Sequence, residues 1–183
     1  MRSSATLFSK TTARTWPVWK APTDTADLGS YRASLNYEQQ AQTYVLYQQQ
    51  NLLSLAFTSY VFTGGAHGNS GTTAASYDLR TGRRLRYADI FRPEADRQLP
   101  ALLAQAVRPL VGLAPGAPLD GQLFVKKMPV THNVFLTAGG VEFLYQPYEI
   151  ASYAQGEIRV FLPLAPGADA PARGPAAARR GRG

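Results

Sequence analysis

Chemistry in a protein of this kind falls first to its histidines, and this chain has two, His67 and His132. His67 lies in Thr63-Gly64-Gly65-Ala66-His67-Gly68-Asn69, a glycine-rich loop by composition. As a general base it needs an orienting carboxylate, which Glu149 or Asp78 could supply. As a metal ligand it needs two further donors at helical or hairpin spacing, and His132 is the one other imidazole. The bland alternative is that the glycines serve a tight turn and His67 fixes it with one hydrogen bond. The loop lacks the Lys-Ser/Thr of a phosphate-binding loop. Ser54, Ser59 and Ser70 stand in no Gly-x-Ser-x-Gly elbow, which removes support for a serine hydrolase. No convergent catalytic set is visible, so the expectation is a non-enzymatic protein with neither cofactor nor metal.

A second group is tyrosine-rich: Tyr145, Tyr148 and Tyr153 flank Glu149 within nine residues. Tyrosine suits both carbohydrate stacking and protein hot spots. The competing reading is that Tyr148 and Tyr153 anchor their loop by burying rings and bonding hydroxyls. A third group, Arg80, Arg83, Arg84 and Arg86, surrounds one hairpin tip. Such a tip is ordinarily solvated, although Arg83 and Arg84 could also meet an anionic polymer. The candidate binding residues are therefore His67, Asn69, Tyr148, Glu149, Tyr153, Arg83 and Arg84.

The elements that must position these groups follow from periodicity. Residues 133–164 read as strand, Gly-Gly turn, strand, tyrosine-rich excursion and final strand. Val141, Phe143 and Tyr145 alternate with Glu142 and Leu144, and Ile158, Val160 and Leu162 with Arg159 and Phe161, as in strands with one buried face. Upstream, strand-like stretches run over 31–39, 43–48 and 52–62, with the last two predicted to form an antiparallel hairpin about a polar turn. In 52–62, Leu53, Leu55, Phe57 and Val61 share one face and Ser54, Thr58 and Tyr60 the other. A strand over 73–79 turns back through Asp78–Arg83 with a bulge at Gly82. One helix is clear: Leu99, Leu102, Leu103, Ala106, Val107 and Leu110 lie on one continuous face. Pro100 predicts a kink or restart there. The fold class is α+β, a mostly antiparallel sheet with one principal amphipathic helix packed on one face.

Length and charge set the outer limits. The 183 residues fit one domain with tails. They divide into an irregular segment over 1–30, which reads as the remnant of an N-terminal subdomain, a domain over 31–164, and an Ala/Pro/Arg tail over 165–183, whose composition predicts disorder. The formal net charge of +7 is spread as +2 over residues 1–30, +3 over 165–183 and only +2 over the body. A nucleic-acid-binding domain concentrates its excess on the folded part, so no specific nucleic-acid partner is expected. Cysteine is absent, which excludes disulfides and thiolate metal sites. No apolar run is long enough for a transmembrane helix, and the first sixteen residues lack the apolar stretch of a signal peptide.

The pairing of Thr63–Asn69 with Tyr148-Glu149-Ile150-Ala151-Ser152-Tyr153-Ala154-Gln155-Gly156, closed by Val160-Phe161-Leu162-Pro163, resembles the RsiV-like extracytoplasmic domain family. That family is named for a lysozyme-sensing anti-sigma factor and also includes deacetylase-associated domains and bacterial lipoproteins. The Asp78–Leu85 hairpin and Ala88-Asp89-Ile90-Phe91 fit its pattern, and the resemblance spans roughly residues 35–164. It implies an exported, envelope-facing binding domain of sensor or wall-associated type, whose partner is an envelope protein or a peptidoglycan glycan. Since Met1 is followed by no export signal, the expectation is a late-called start or a fragment of a longer protein. Lysozymes are strongly basic, so a body at +2 is a poor electrostatic match for one. The alternative is a peptidoglycan-acting enzyme with His67 and Glu149 as acid and base.

Overall fold

The structure, a computed structural model, describes residues 37–64 and 66–164. The predicted N-terminal segment over 1–30, the start of the strand at 31 and the tail over 165–183 lie outside the described residues. The architecture is α+β with two antiparallel sheets. The first holds β1 (Glu38–Gln49), β2 (Leu52–Phe62), β3 (Asn69–Asp78) and β4 (Arg83–Leu85) in sequential order. The second holds β5 (Val134–Thr137), β6 (Gly140–Tyr145) and β7 (Ile158–Pro163). Between them the chain forms a short α1 (Tyr87–Ile90) and the main helix α2 (Ala95–Leu110).

The single expected sheet is thus two, and the smaller one is the middle of the molecule. One face of the second sheet (Val134, Leu136, Val141, Phe143, Tyr145, Ile158 and Val160) packs with Leu99, Leu103 and Val107 of α2. Its other face presents Phe135 and Leu144 to Ala74 and Leu46 of the first sheet. Burial on both faces is why Leu144, expected opposite the core, is fully buried alongside Phe143 and Tyr145. Each such side chain contributes roughly 1.5–3 kcal/mol of burial free energy.

Two expectations need correction, and the inner face of β2, which periodicity left open, is settled. The stretches 31–39 and 43–48 are not separate strands: from Glu38 the chain is one strand to Gln49, interrupted only by a register shift between Val45 and Tyr47. In β2 the buried face is the one with Ser54 and Ala56, while Phe57 and Val61 point outward and are exposed. The helix is continuous through Pro100, and its buried stripe is Leu99, Pro100, Leu103 and Val107; Leu102 and Leu110 are exposed. A sheet of three strands is too narrow to cover the whole apolar arc that the sequence offers.

The reason Ser54 faces inward is a closed ring of hydrogen bonds. The Leu136 N–H donates to Ser76 Oγ (2.8 Å), and the Ser54 hydroxyl donates to the Leu136 carbonyl (2.7 Å). With its one proton committed, Ser54 accepts from the Ser76 hydroxyl at 2.7 Å. Both serines are buried, and they complete the outer edge of β5, which has no strand partner on that side among the described residues.

Candidate ligand-binding site

The loop over 63–68 joins β2 to β3, and the loop over 146–157 joins β6 to β7, so each hangs from a different sheet. They meet at one atom. The Gly68 carbonyl accepts from His67 Nδ1 at 3.0 Å and from the Tyr153 hydroxyl at 3.1 Å. Since a carbonyl cannot donate, it is His67 Nδ1 that supplies the hydrogen of that bond. Gly68 is buried, and a Cβ there would lie 2.4 Å from the Tyr60 ring, so glycine is needed for close approach.

The same meeting point stacks rings. His67 lies on Tyr153 with centroids 4.5 Å apart and planes inclined by 22°. Tyr153 in turn lies 5.6 Å from Tyr148, tilted by 31°. Tyr153 behaves as an anchor, half-buried with its hydroxyl bonded. Tyr148 does not: its side is 56% exposed, and its backbone sits at φ +68°. That region is uncommon for non-glycine residues and strained for bulky ones. Local bonds hold it there, from Tyr148 N–H to the Ala151 carbonyl (3.1 Å), from Glu149 N–H to the Gln146 carbonyl (3.0 Å), and from Gln146 N–H to Glu149 Oε2 (2.8 Å).

The expected residues divide accordingly. His67, Tyr148 and Tyr153 are brought into one row. Asn69 opens β3 opposite Val61 and is exposed at its edge. Glu149 holds its own turn, and no hydrogen bond among the described residues joins it to His67. Arg83 donates from Nη1 to Asp89 Oδ1 at 2.8 Å, tying the hairpin to α1. That bond, with the Arg86 N–H on the other carboxylate oxygen, holds Asp89 below the usual carboxylate range. At the hairpin tip desolvation works against ionisation of Asp78, but the Arg80 N–H, the Thr81 hydroxyl and the Arg80 charge outweigh it and lower its pKa. Arg84 is separate from the aromatic row and faces a different hollow.

Two hollows run along β3 and share Gly71 and Gln146. The smaller, about 210 Å3, is bounded by Ser70, Pro147, Tyr153, Gly156 and Glu157. The larger, about 460 Å3, is bounded by Phe57, Ser59, Thr73, Arg84, His132 and Asn133. That volume is in the range of small-molecule sites. The wall between the sheets is built by two amides which composition and periodicity did not mark. Asn133 Oδ1 accepts from the Ala74 N–H (2.8 Å) while its Nδ2 donates to the Thr72 carbonyl (2.8 Å). Gln146 Oε1 accepts from the Thr72 N–H (2.9 Å) and its Nε2 donates to the same carbonyl (2.5 Å). His132 is not a partner of His67; it stacks on Tyr87 at 4.2 Å and 14°. Beneath the wall Tyr145 donates to the Pro129 carbonyl (2.7 Å), and burial, reinforced by the Glu149 charge, pushes its phenol pKa up.

Comparison with known proteins fits this geometry. Residues 88–165 match the family described as Protein of unknown function (DUF3298), and residues 21–70 match the one described as Deacetylase PdaC. The crystal structure of a DUF3298 family member from Bacteroides fragilis NCTC 9343 is 28% identical, with a TM-score of 0.63 over 72% of this chain and 53% of that one. A DUF3298 family protein from Pseudomonas aeruginosa PAO1 is 30% identical, with a TM-score of 0.59 over 69% of this chain and 58% of that one. The chain therefore spans less than three fifths of the length of either solved relative. No curated protein matches. Together the matches support a bacterial domain of extracytoplasmic, cell-envelope-associated type. No helix among the described residues is long and apolar enough to cross a membrane. The aromatic row draws His67 from the stretch matched over 21–70 and Tyr148 and Tyr153 from the one matched over 88–165.

Proposed function

We propose that this chain is a non-enzymatic binding domain of the bacterial cell envelope, and that the row His67–Tyr153–Tyr148 with the hollows beside it is its ligand face. The observation that carries the reading is Tyr148: a large ring, more than half exposed, kept at a backbone conformation that glycine or asparagine would occupy with less strain. Strain of this kind persists at ligand clamps, where the side chain is needed for something other than stability. An exposed tyrosine at the end of a stack, beside a hollow, suits the face of a sugar ring. A peptidoglycan glycan is accordingly the preferred ligand. The resemblance to the domain of the lysozyme-sensing anti-sigma factor makes lysozyme the protein ligand to test beside it. Export and anchoring belong to the same proposal: the domain works outside the cytoplasm, held by parts of a longer protein.

Replacing Tyr148 with glycine separates binding from folding. Left-handed strain in a non-glycine residue is worth roughly 1–2 kcal/mol, offset by about 0.5–1 kcal/mol of added chain entropy in the unfolded state. The variant is expected to be at least as stable as the parent in a urea titration, yet weakened at least tenfold toward soluble peptidoglycan fragments by calorimetry. Unchanged affinity for both the fragments and c-type lysozyme would refute Tyr148 as a ligand contact.

A further inference from the structure

The larger hollow has a chemistry of its own. Its floor is the outward face of the first sheet, where Phe57 stands opposite Thr73 and Ser59 opposite Gly71. Gly71 leaves that floor without a side chain beside Ser59. Arg84 pairs with Tyr77, which by the two-residue alternation of β3 lies on the same face as Thr73. Within β4 the neighbours of Arg84 are committed elsewhere: Arg83 to Asp89, and Leu85 to the core. The ion pairs among the described residues are Arg80–Asp78, Arg83–Asp89 and Arg159–Glu157, and none involves Arg84.

Across the hollow stands His132, its ring fixed against Tyr87, whose hydroxyl is itself bonded to Asp96. The lining thus contains a guanidinium, an imidazole, the hydroxyls of Ser59, Thr72 and Thr73, two amides and one aromatic ring, with no carboxylate among the described residues. A guanidinium presents a planar fork of donors matched to a carboxylate. Hydroxyls and amides match ring hydroxyls and acetamido groups, and Phe57, 39% exposed, offers an apolar surface to a sugar face.

From this lining we infer that the hollow bounded by Arg84 and His132 is a subsite for a carboxylate-bearing saccharide, with Arg84 taking the carboxylate. The inference rests on the ligand-face reading above and names the substrate class that the face selects. It also assigns the two ends different work. The tyrosine row recognises any sugar ring; the arginine end discriminates by charge.

The test compares two disaccharides on the full chain by calorimetry and amide chemical-shift mapping. One is N-acetylglucosaminyl-N-acetylmuramic acid; the other is chitobiose, which lacks the lactyl carboxylate. The acidic sugar is expected to bind about tenfold or more tightly than chitobiose, the range of a charge-assisted hydrogen bond, with shifts at Thr73 and Arg84. Arg84→Gln should remove that preference by bringing the acidic sugar down to the affinity of chitobiose, and Arg84→Lys should restore only part of it. Arg97→Gln, which removes one exposed charge on α2, should keep it in full. Equal affinity for the two sugars, or a preference that survives Arg84→Gln in a variant that still melts like the parent, overturns the inference while leaving the ligand face standing. An equal response to glycerol 3-phosphate would overturn it too, since charge alone would then be recognised. Binding to lysozyme with neither sugar bound would refute the saccharide subsite and keep an envelope role; a folded protein that binds none of them would refute both.

Discussion

The edge of β3 offers a direct measurement of how the two sheets are joined. β4 pairs with β3 only over Ser76–Asp78, so the remaining edge has no strand partner on that side among the described residues. Three of its groups, the Thr72 N–H, the Thr72 carbonyl and the Ala74 N–H, are closed by the amides of Asn133 and Gln146. Asn133→Ala orphans the Ala74 N–H but not the Thr72 carbonyl, which keeps Gln146. Gln146→Ala orphans the Thr72 N–H but again not the carbonyl, which keeps Asn133. A buried unsatisfied group costs about 1–3 kcal/mol. Both side chains line an open hollow that water can enter, so each single change is expected near 1 kcal/mol. Only the double variant strips the shared carbonyl. It should therefore lose more than the sum of the singles, with a coupling of roughly 0.5–1.5 kcal/mol. The assay is urea unfolding of the four proteins followed by circular dichroism, read as midpoint shifts at constant slope. Additivity within about 0.3 kcal/mol would refute the shared-acceptor account.

The serine ring predicts that Ser76→Ala is worse than Ser54→Ala, because the first orphans the Leu136 N–H and the second a carbonyl that tolerates under-satisfaction better; urea midpoints should separate the two, with each loss about 1–3 kcal/mol. Gly140→Ala should destabilise more than Gly68→Ala in the same assay. The added Cβ at 140 meets the Leu162 carbonyl at 2.6 Å as well as the Phe161 ring, whereas at 68 it meets only the movable Tyr60 ring. Tyr145 contributes to alkaline stability, as does Tyr87, whose phenol is raised by burial and by its bond to Asp96. The raised folded pKa of Tyr145 keeps it protonated when the unfolded chain ionises near pH 10, so its contribution is complete below about pH 10 and falls as pH rises above it. Tyr145→Phe should flatten the decline by roughly 0.7 kcal/mol per pH unit at pH 10, rising toward about 1.4 by pH 11.5; a slope identical to the parent's would refute that assignment.

Much of this was legible from residue order. The alternation in 141–145 and 158–162 located β6 and β7, and Asp78 with Gly82 located the bulged turn between β3 and β4, where Gly82 sits at φ +68°. The family resemblance paired the loops that carry His67 and Tyr153, which the structure joins at the Gly68 carbonyl. What periodicity left open was the inner face of β2. A two-residue period separates the faces without saying which is inward. There the answer depended on Ser54, Ser76, Ala56 and Ala74, small residues that let the sheet approach β5 closely. Asn133 and Gln146 gave no periodic signal, because each bonds a strand 59 to 74 residues away. His132 was visible as an imidazole, but its stack on Tyr87 and its place beside Arg84 depend on α1 and the approach to β5 folding together.

The placement of the hollow follows from the same edge. A further strand beside β3 would satisfy Thr72 and Ala74 equally well, but its backbone and side chains would fill the space that Asn133 and Gln146 leave open. Amide side chains close the hydrogen bonds from the second sheet, at the ends of β5 and β6, and keep the outer face of Ser59, Gly71 and Thr73 accessible. Rigidity comes from below, where Tyr145, next to Gln146 in the chain, is fully buried and bonded to Pro129. The walls are therefore held by the core while the floor stays free for a ligand. This arrangement also fixes how variants must be read: changes at Asn133 or Gln146 alter stability and groove shape together, whereas Arg84, exposed and outside every ion pair among the described residues, reports on recognition.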